Sequence, residues 1–150
     1  MKRTYVFLAV ALASAASAAT VASAQARLPA AHSSRAATVQ LRHTNLGSIL
    51  VSGSGRTLYE FTRDHSGKSS CAAIGGCSAV WPPLKAGGRP TTGPGIKASL
   101  LSSSGGQVTY AGHPLYTYSG DSGPGKTSYV GVKQFGGTWY AINASGGAVK

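Results

Sequence analysis

Leu58-Tyr-Glu-Phe-Thr-Arg-Asp64 and Leu115-Tyr-Thr-Tyr-Ser-Gly-Asp121 are two versions of one pattern, L-Y-x-[F/Y]-x-x-D. They lie 57 residues apart, and upstream neighbours keep that spacing: Gly55 falls on Gly112 and Val51 on Val108. Past the aspartate the spacing becomes 58, pairing Lys68 with Lys126 and Trp81 with Trp139. One inserted residue after the aspartate accounts for both registers. Identities at this many positions across a single insertion indicate an internal duplication. Two-residue alternation puts Tyr59 and Phe61 on one face of a strand, and Tyr116 and Tyr118 on the matching face of its counterpart. Leu58 and Glu60 point the other way, so the aromatic faces are the predicted core.

Around these two strands the chain from Thr38 onward is a series of short β-branched and aromatic runs. Gly, Ser, Pro and Asn separate them, which is the texture of an all-β protein with tight turns. All 21 glycines lie beyond residue 46, against long helices. A first strand is predicted at Thr38–His43. A hairpin follows, from Ser48–Val51 through a turn at Ser52–Gly55 to Thr57–Phe61. Repeat two is expected to build the same hairpin from Gln107–Tyr110, a turn at Ala111–His113 and Leu115–Tyr118. Between the repeats lie a Gly/Pro loop at Lys85–Gly95 and a short strand at Ile96–Leu101. Lys133–Phe135, a Gly136-Gly137 turn and Thr138–Ile142 form a last hairpin, and residues 143–150 read as a frayed tail. The predicted fold is a compact all-β domain over residues 38–142, barrel- or sandwich-like. Two β-hairpin repeats, about 46–84 and 103–142, share one core.

The first 24 residues read as a secretory signal peptide. Met1-Lys-Arg-Thr4 is a positive start, an apolar run follows at Tyr5–Leu12, and Ala22-Ser-Ala24 supplies an A-x-A cleavage pattern. The run is too short and too alanine-rich for a membrane span, and no cysteine near the cleavage point could carry a lipid. Residues 25–37 read as a disordered leader containing His32. Removing 24 of 150 residues leaves 126, one small domain with room for one modest core. Removing Lys2 and Arg3 lowers the formal charge from +11 to +9, with the basic residues spread singly along the chain. The absence of a basic run or a recognised motif argues against specific nucleic-acid reading. The sign of the charge suits solubility or attraction to anionic cell-envelope polymers.

Few residues are placed for chemistry. Cys71 and Cys77 in an exported chain predict a disulfide. Two thiolates without further ligands nearby do not make a metal site, and no cofactor motif is present. Asp64 and Asp121 occupy equivalent places, each opening a Ser/Gly-rich turn. They read as turn caps accepting backbone N–H groups, with a ligand or Ca²⁺ site shared between repeats as the sharper alternative. Calcium prefers clustered carboxylates, whereas the exported part has three acidic residues, Glu60, Asp64 and Asp121. Gly120-Asp-Ser-Gly123 matches the element around a serine-protease nucleophile. None of His43, His65 and His113 stands in a matching context, however, and the scaffold is too short. His65 and His113 read as polar turn residues.

In combination, these elements resemble a bacterial family of secreted repeat proteins and predicted lipoproteins named for a Y-x-[FWY]-x-x-D motif. The matching residues are Gly55–Asp64, the cysteine pair, Ala79-Val-Trp-Pro-Pro-Leu84, Gln107–Asp121 and Gly136-Gly-Thr-Trp-Tyr140. They cover roughly residues 45–142. The resemblance implies an exported, two-repeat, envelope-associated protein and supplies no catalytic residues; this chain departs from the lipoprotein members in lacking a lipobox cysteine. The motif positions to follow are Tyr59, Phe61, Asp64, Trp81, Tyr116, Tyr118, Asp121 and Trp139. The expected function is a non-catalytic binding or structural module at the cell surface. The alternative is an enzyme, or a redox, haem or metal accessory protein.

Overall fold

The computed structural model describes residues 36–150; the expected signal peptide and the leader as far as residue 35, His32 included, lie outside them. The described chain is all-β, with two repeats. Strands β1 (Thr38–Thr44) and β2 (Gly47–Ser52) form an antiparallel hairpin, Thr44 opposite Gly47 and Val39 opposite Ser52. The Thr44 hydroxyl closes its turn, accepting from the Leu46 N–H and donating to the Gly47 carbonyl.

The hairpin expected between β2 and the first motif strand is cut short. Thr57 bridges Val51, Leu58 donates to the Leu50 carbonyl, and the chain then leaves β2. Strand β3 (Tyr59–Phe61) pairs instead with residues near the C-terminus. After β3 come a 3₁₀ turn at Cys71–Ala73, a single helical turn α1 (Cys77–Val80) and β4 (Thr91–Thr92), which lies parallel to β1.

Residues 96–101 are not the predicted strand. Ala98–Leu100 form a 3₁₀ turn closed by the Leu100 N–H on the Lys97 carbonyl, and only β5 (Leu101–Ser104) is extended. The Ala-Ser-Leu sequence has no alternation to hold it on a sheet. Strand β6 (Gln107–Tyr110) turns back through Ala111-Gly112, both at positive φ, into β7 (His113–Pro114). This loop is one residue tighter than predicted.

Strands β8 (Val132–Gln134) and β9 (Gly137–Ile142) make the last hairpin, with Phe135 and Gly136 at its tip at φ 57° and 78°. The turn is one residue earlier than Gly136-Gly137, because positive φ at both central positions matches the twist of the strands. The expected frayed tail is ordered. Asn143 Oδ1 accepts from the N–H groups of Ser145 and Gly147, and β10 (Ala148–Val149) pairs with β9.

Three sheets result, ordered β2-β1-β4, β10-β9-β3 with β8 beside β9, and β5-β6-β7; none closes into a barrel. The repeats meet where Tyr59 and Tyr116 exchange both backbone hydrogen bonds, at 2.9 and 3.0 Å. Outside this pair, Tyr59 faces Ala141 and Tyr116 faces Pro83. Residues 83 and 141 are themselves 58 apart, so the ladder repeats about the tyrosine pair as a local two-fold.

The repeats also share their cores. Val39, Leu50 and Leu58 pack with Val108, Tyr110, Leu115 and Ile142. Tyr59, Phe61, Cys71, Cys77 and Trp81 pack with Tyr116 and Trp139. Each fully buried Leu, Val or Phe contributes about 1.5–3 kcal/mol relative to exposure. The motif strand is therefore buried on both faces, and Glu60, expected to point away from the core, is buried as well.

Candidate functional site

The duplicated motif completes itself across the repeats. Tyr116 of repeat two donates its O–H to Asp64 Oδ2 of repeat one, at 2.7 Å, and lies 2.8 Å from Ser69 Oγ. Reciprocally, Tyr59 of repeat one reaches the Asp121 carboxylate of repeat two, at 3.3 and 3.5 Å. The strand positions of the two tyrosines enforce this crossing: their backbones pair directly, so each side chain extends past its partner toward the far turn.

Asp64 also accepts the Ser70 N–H at 2.7 Å, as expected of a turn cap, though at the far end of its turn. Asp121 departs from that expectation. Its carboxylate takes the Tyr59 hydroxyl rather than a turn N–H, while Arg56 donates to the Tyr118 and Asp121 carbonyls.

Burial holds the Asp64 carboxyl above the usual carboxylate range, against the opposing hydrogen bonds from Tyr116 and Ser70. Asp121 is raised for the same reason, opposed by Tyr59 and by the Arg56 charge. Burial likewise pushes the phenols of Tyr59 and Tyr116 well above their ordinary value, and the adjoining carboxylates add to it.

The remaining motif positions form the aromatic layer beneath these pairs. Trp81 and Trp139 stack with ring centroids 4.0 Å apart and planes 2° from parallel. Tyr59 meets Trp81 edge-on at 5.2 Å and Tyr116 meets Trp139 edge-on at 5.1 Å. Phe61 lies on Trp139 and Tyr118 on Trp81, so each repeat's second aromatic packs on the other repeat's tryptophan. Aromatic pairs of this kind contribute about 0.5–1.5 kcal/mol each beyond the area they bury.

Both indoles end on one residue that sequence reasoning missed, Gln134. Trp81 Nε1 donates to its side-chain oxygen at 2.8 Å, and Trp139 Nε1 to its carbonyl at 3.3 Å. Cys71 and Cys77 are joined as predicted, with Cα atoms 5.4 Å apart and both residues buried. The bridge fixes the loop that delivers Trp81, and the loop-length relation gives it about 2–2.5 kcal/mol.

His113, predicted as a polar turn residue, is instead the partner of Glu60, with Nδ1 3.0 Å from Oε2. The histidine side chain is 44% exposed and the glutamate 9%. No donor is aligned on Oε2, so the contact is a close approach of imidazole and carboxyl rather than a hydrogen bond. Burial raises the Glu60 carboxyl above its ordinary range; His113 opposes this and Asp64 reinforces it. The signal available in sequence was the scarcity of acids: with three in the whole chain, each was a candidate for an assigned partner.

These features define a class: a disulfide-closed, two-repeat β protein whose tyrosine–aspartate pairs and tryptophan stack are each completed across the two repeats. The chain belongs to the family described as a secreted repeat of unknown function, which it matches at residues 41–85 and 102–143, the two repeats seen in the fold.

Among known proteins, it is 46% identical over 56 residues to zinc finger protein 703 of Homo sapiens, and 45% identical over 56 to that of Mus musculus. That stretch is 36% of this chain, but the match spans about a tenth of the length of either relative. Here Cys71 and Cys77 are joined to each other, and among the described residues no three His, Cys, Asp or Glu are grouped to hold a metal ion. No solved structure matches.

Proposed function

We propose that the chain is a non-catalytic module that binds anionic polymers of the cell envelope through diffuse charge. One observation carries this reading: the protein turns its acids inward and its bases outward. Glu60, Asp64 and Asp121 are each taken up by His113, Tyr116 or Tyr59. Among the described residues, Glu60–His113 is the sole close contact between an acidic and a basic side chain, and no Lys or Arg is neutralised by a carboxylate. Arg42, Arg63, Lys68, Lys85, Arg89, Lys97, Lys126, Lys133 and Lys150 are all exposed. A surface whose cations lack carboxylate partners attracts polyanions without a fixed register.

The family's description as secreted supports an extracellular or envelope setting. Among the described residues no helix is long and apolar enough to cross a membrane. The test is cosedimentation of the exported chain with isolated envelopes and with a purified anionic wall polymer across a salt series. Retention at about 0.1 M salt should vanish toward about 1 M, as the Debye length shrinks from ~10 Å to ~3 Å. The variant Lys97→Glu/Lys133→Glu should release at lower salt. No retention at low salt overturns the reading, and retention persisting at high salt replaces diffuse attraction with a specific pocket.

A further inference from the structure

Five aromatic rings run in contact from the core to the surface. Phe61 lies on Trp139 (centroids 4.1 Å apart, planes 8° apart) and Trp139 on Trp81 (4.0 Å, 2°). Trp81 meets Tyr118 (4.5 Å, 44°), and Tyr118 meets Tyr129 (3.7 Å, 39°). The first three are buried and the two tyrosines half-exposed. Methionine and free thiols, common sinks for oxidation, are absent from the described residues. Tryptophan and tyrosine are therefore the most readily oxidised side chains of this domain.

A second observation concerns the duplication. At the downstream offset of 58, Tyr129 stands where repeat one has Cys71. Repeat one is closed covalently at that place and repeat two is not.

We propose that Tyr118 and Tyr129 are a modification site, where one-electron oxidation entering the aromatic stack ends as a carbon–carbon bond between the two phenol rings. The co-reactant is two equivalents of a one-electron oxidant, of the kind a haem peroxidase or a photo-excited metal complex provides. Each phenol gives one electron to the oxidant and one proton to water. The two phenoxyl radicals join at carbons ortho to oxygen, and each ring then moves the proton from that carbon to its oxygen and becomes aromatic again. Two C–H bonds are replaced by one C–C bond, with net loss of two protons and two electrons.

Tyr59 and Tyr116 do not compete as end points. A proton passed to Asp121 or Asp64 stays within the hydrogen bond and returns, and neither ring is stacked on a second phenol. The bond would tie the end of the second motif strand to the loop after Asp121, a covalent closure in the repeat that lacks the cysteines.

The experiment photo-oxidises the full exported chain, disulfide intact and dilute, with ruthenium tris-bipyridyl and persulfate. The expected product is a monomer lighter by two hydrogens, with dityrosine fluorescence. After tryptic cleavage at Lys126, which otherwise separates the two tyrosines, peptides bearing Tyr118 and Tyr129 should remain linked. Tyr118→Phe and Tyr129→Phe, which keep the ring, should each abolish the link. In Tyr118→Phe, oxidation stranded on Trp81 and Trp139 should rise several-fold. Absence of the link in the parent protein overturns the site; indole oxidation unchanged in Tyr118→Phe overturns the stack as its feed.

Discussion

Asp64 and Asp121 occupy equivalent positions in the motif but are held differently, and their substitutions should not behave alike. Asp64 accepts two bonds at 2.7 Å, one from a backbone N–H and one from a buried phenol. Asp64→Ala leaves both donors unpaired and should lower stability by about 1–3 kcal/mol, with Asp64→Asn costing less because it keeps an acceptor. Asp121, with contacts of 3.3 Å and longer, should lose less on Asp121→Ala. Urea denaturation of the three variants checks the order, and a double-mutant cycle with Tyr116→Phe should show coupling to Asp64 and none to Asp121. The carboxyls also set an unusual pH response. All three are raised in the folded chain, foremost by burial, so the folded state holds their protons more tightly than the unfolded state. Their stabilising contribution is complete below the unfolded carboxylate range near pH 4, and is lost as pH rises through the raised values. The melting temperature should therefore climb as pH is lowered from about 7 toward about 4; calorimetry showing a fall across that window would mean that these groups are better stabilised as anions.

At the scale of single elements, the β8–β9 hairpin shows how adjacent glycines serve different needs. Gly136 sits at φ 78°, where an L side chain is strained. Gly137 has an ordinary backbone, but an added Cβ would come 2.5 Å from the Phe61 ring and 2.9 Å from Arg63 Cγ. Phe61 is stacked on Trp139 and cannot yield without breaking that contact. Gly137→Ala should therefore cost about 1–3 kcal/mol by overpacking, read as a lower urea midpoint with little change in slope. The elements also show what the sequence made legible. Repetition of L-Y-x-[F/Y]-x-x-D located both motif strands, and composition fixed the all-β class. Compartment and spacing together located the Cys71–Cys77 bridge. Pairing partners stayed hidden, because alternation tells which residues share a face but not which strand lies alongside. Thr57–Phe61 thus read as the second arm of a local hairpin, whereas β3 pairs with β9, nearly 80 residues later. The same limit concealed Glu60: alternation assigns one face to the core, and a central strand covered on both sides has two. Gln134 carried no pattern at all, since its role exists only once the two indoles are stacked.

For the molecule as a whole, the shared cores mean that the repeats are not separable units. A protease site placed between Gly87 and Gly88, where the chain is exposed and a Cβ at Gly88 would meet open space, should give a nicked protein whose halves co-elute on gel filtration. Reduction should not part them, because the disulfide lies within repeat one. Halves that separate under native conditions would contradict the crossed packing. The crossing also bears on how such a chain can change over generations. Duplication ordinarily leaves one copy free to drift while the other keeps the original task. Here Tyr59 is completed by Asp121, and Tyr116 by Asp64, so a mutation in either copy is tested at once against the other. Neither half is a spare. A chimera joining repeat one of one relative to repeat two of another would need to match across both junctions before it could fold, so the two halves are inherited as a pair.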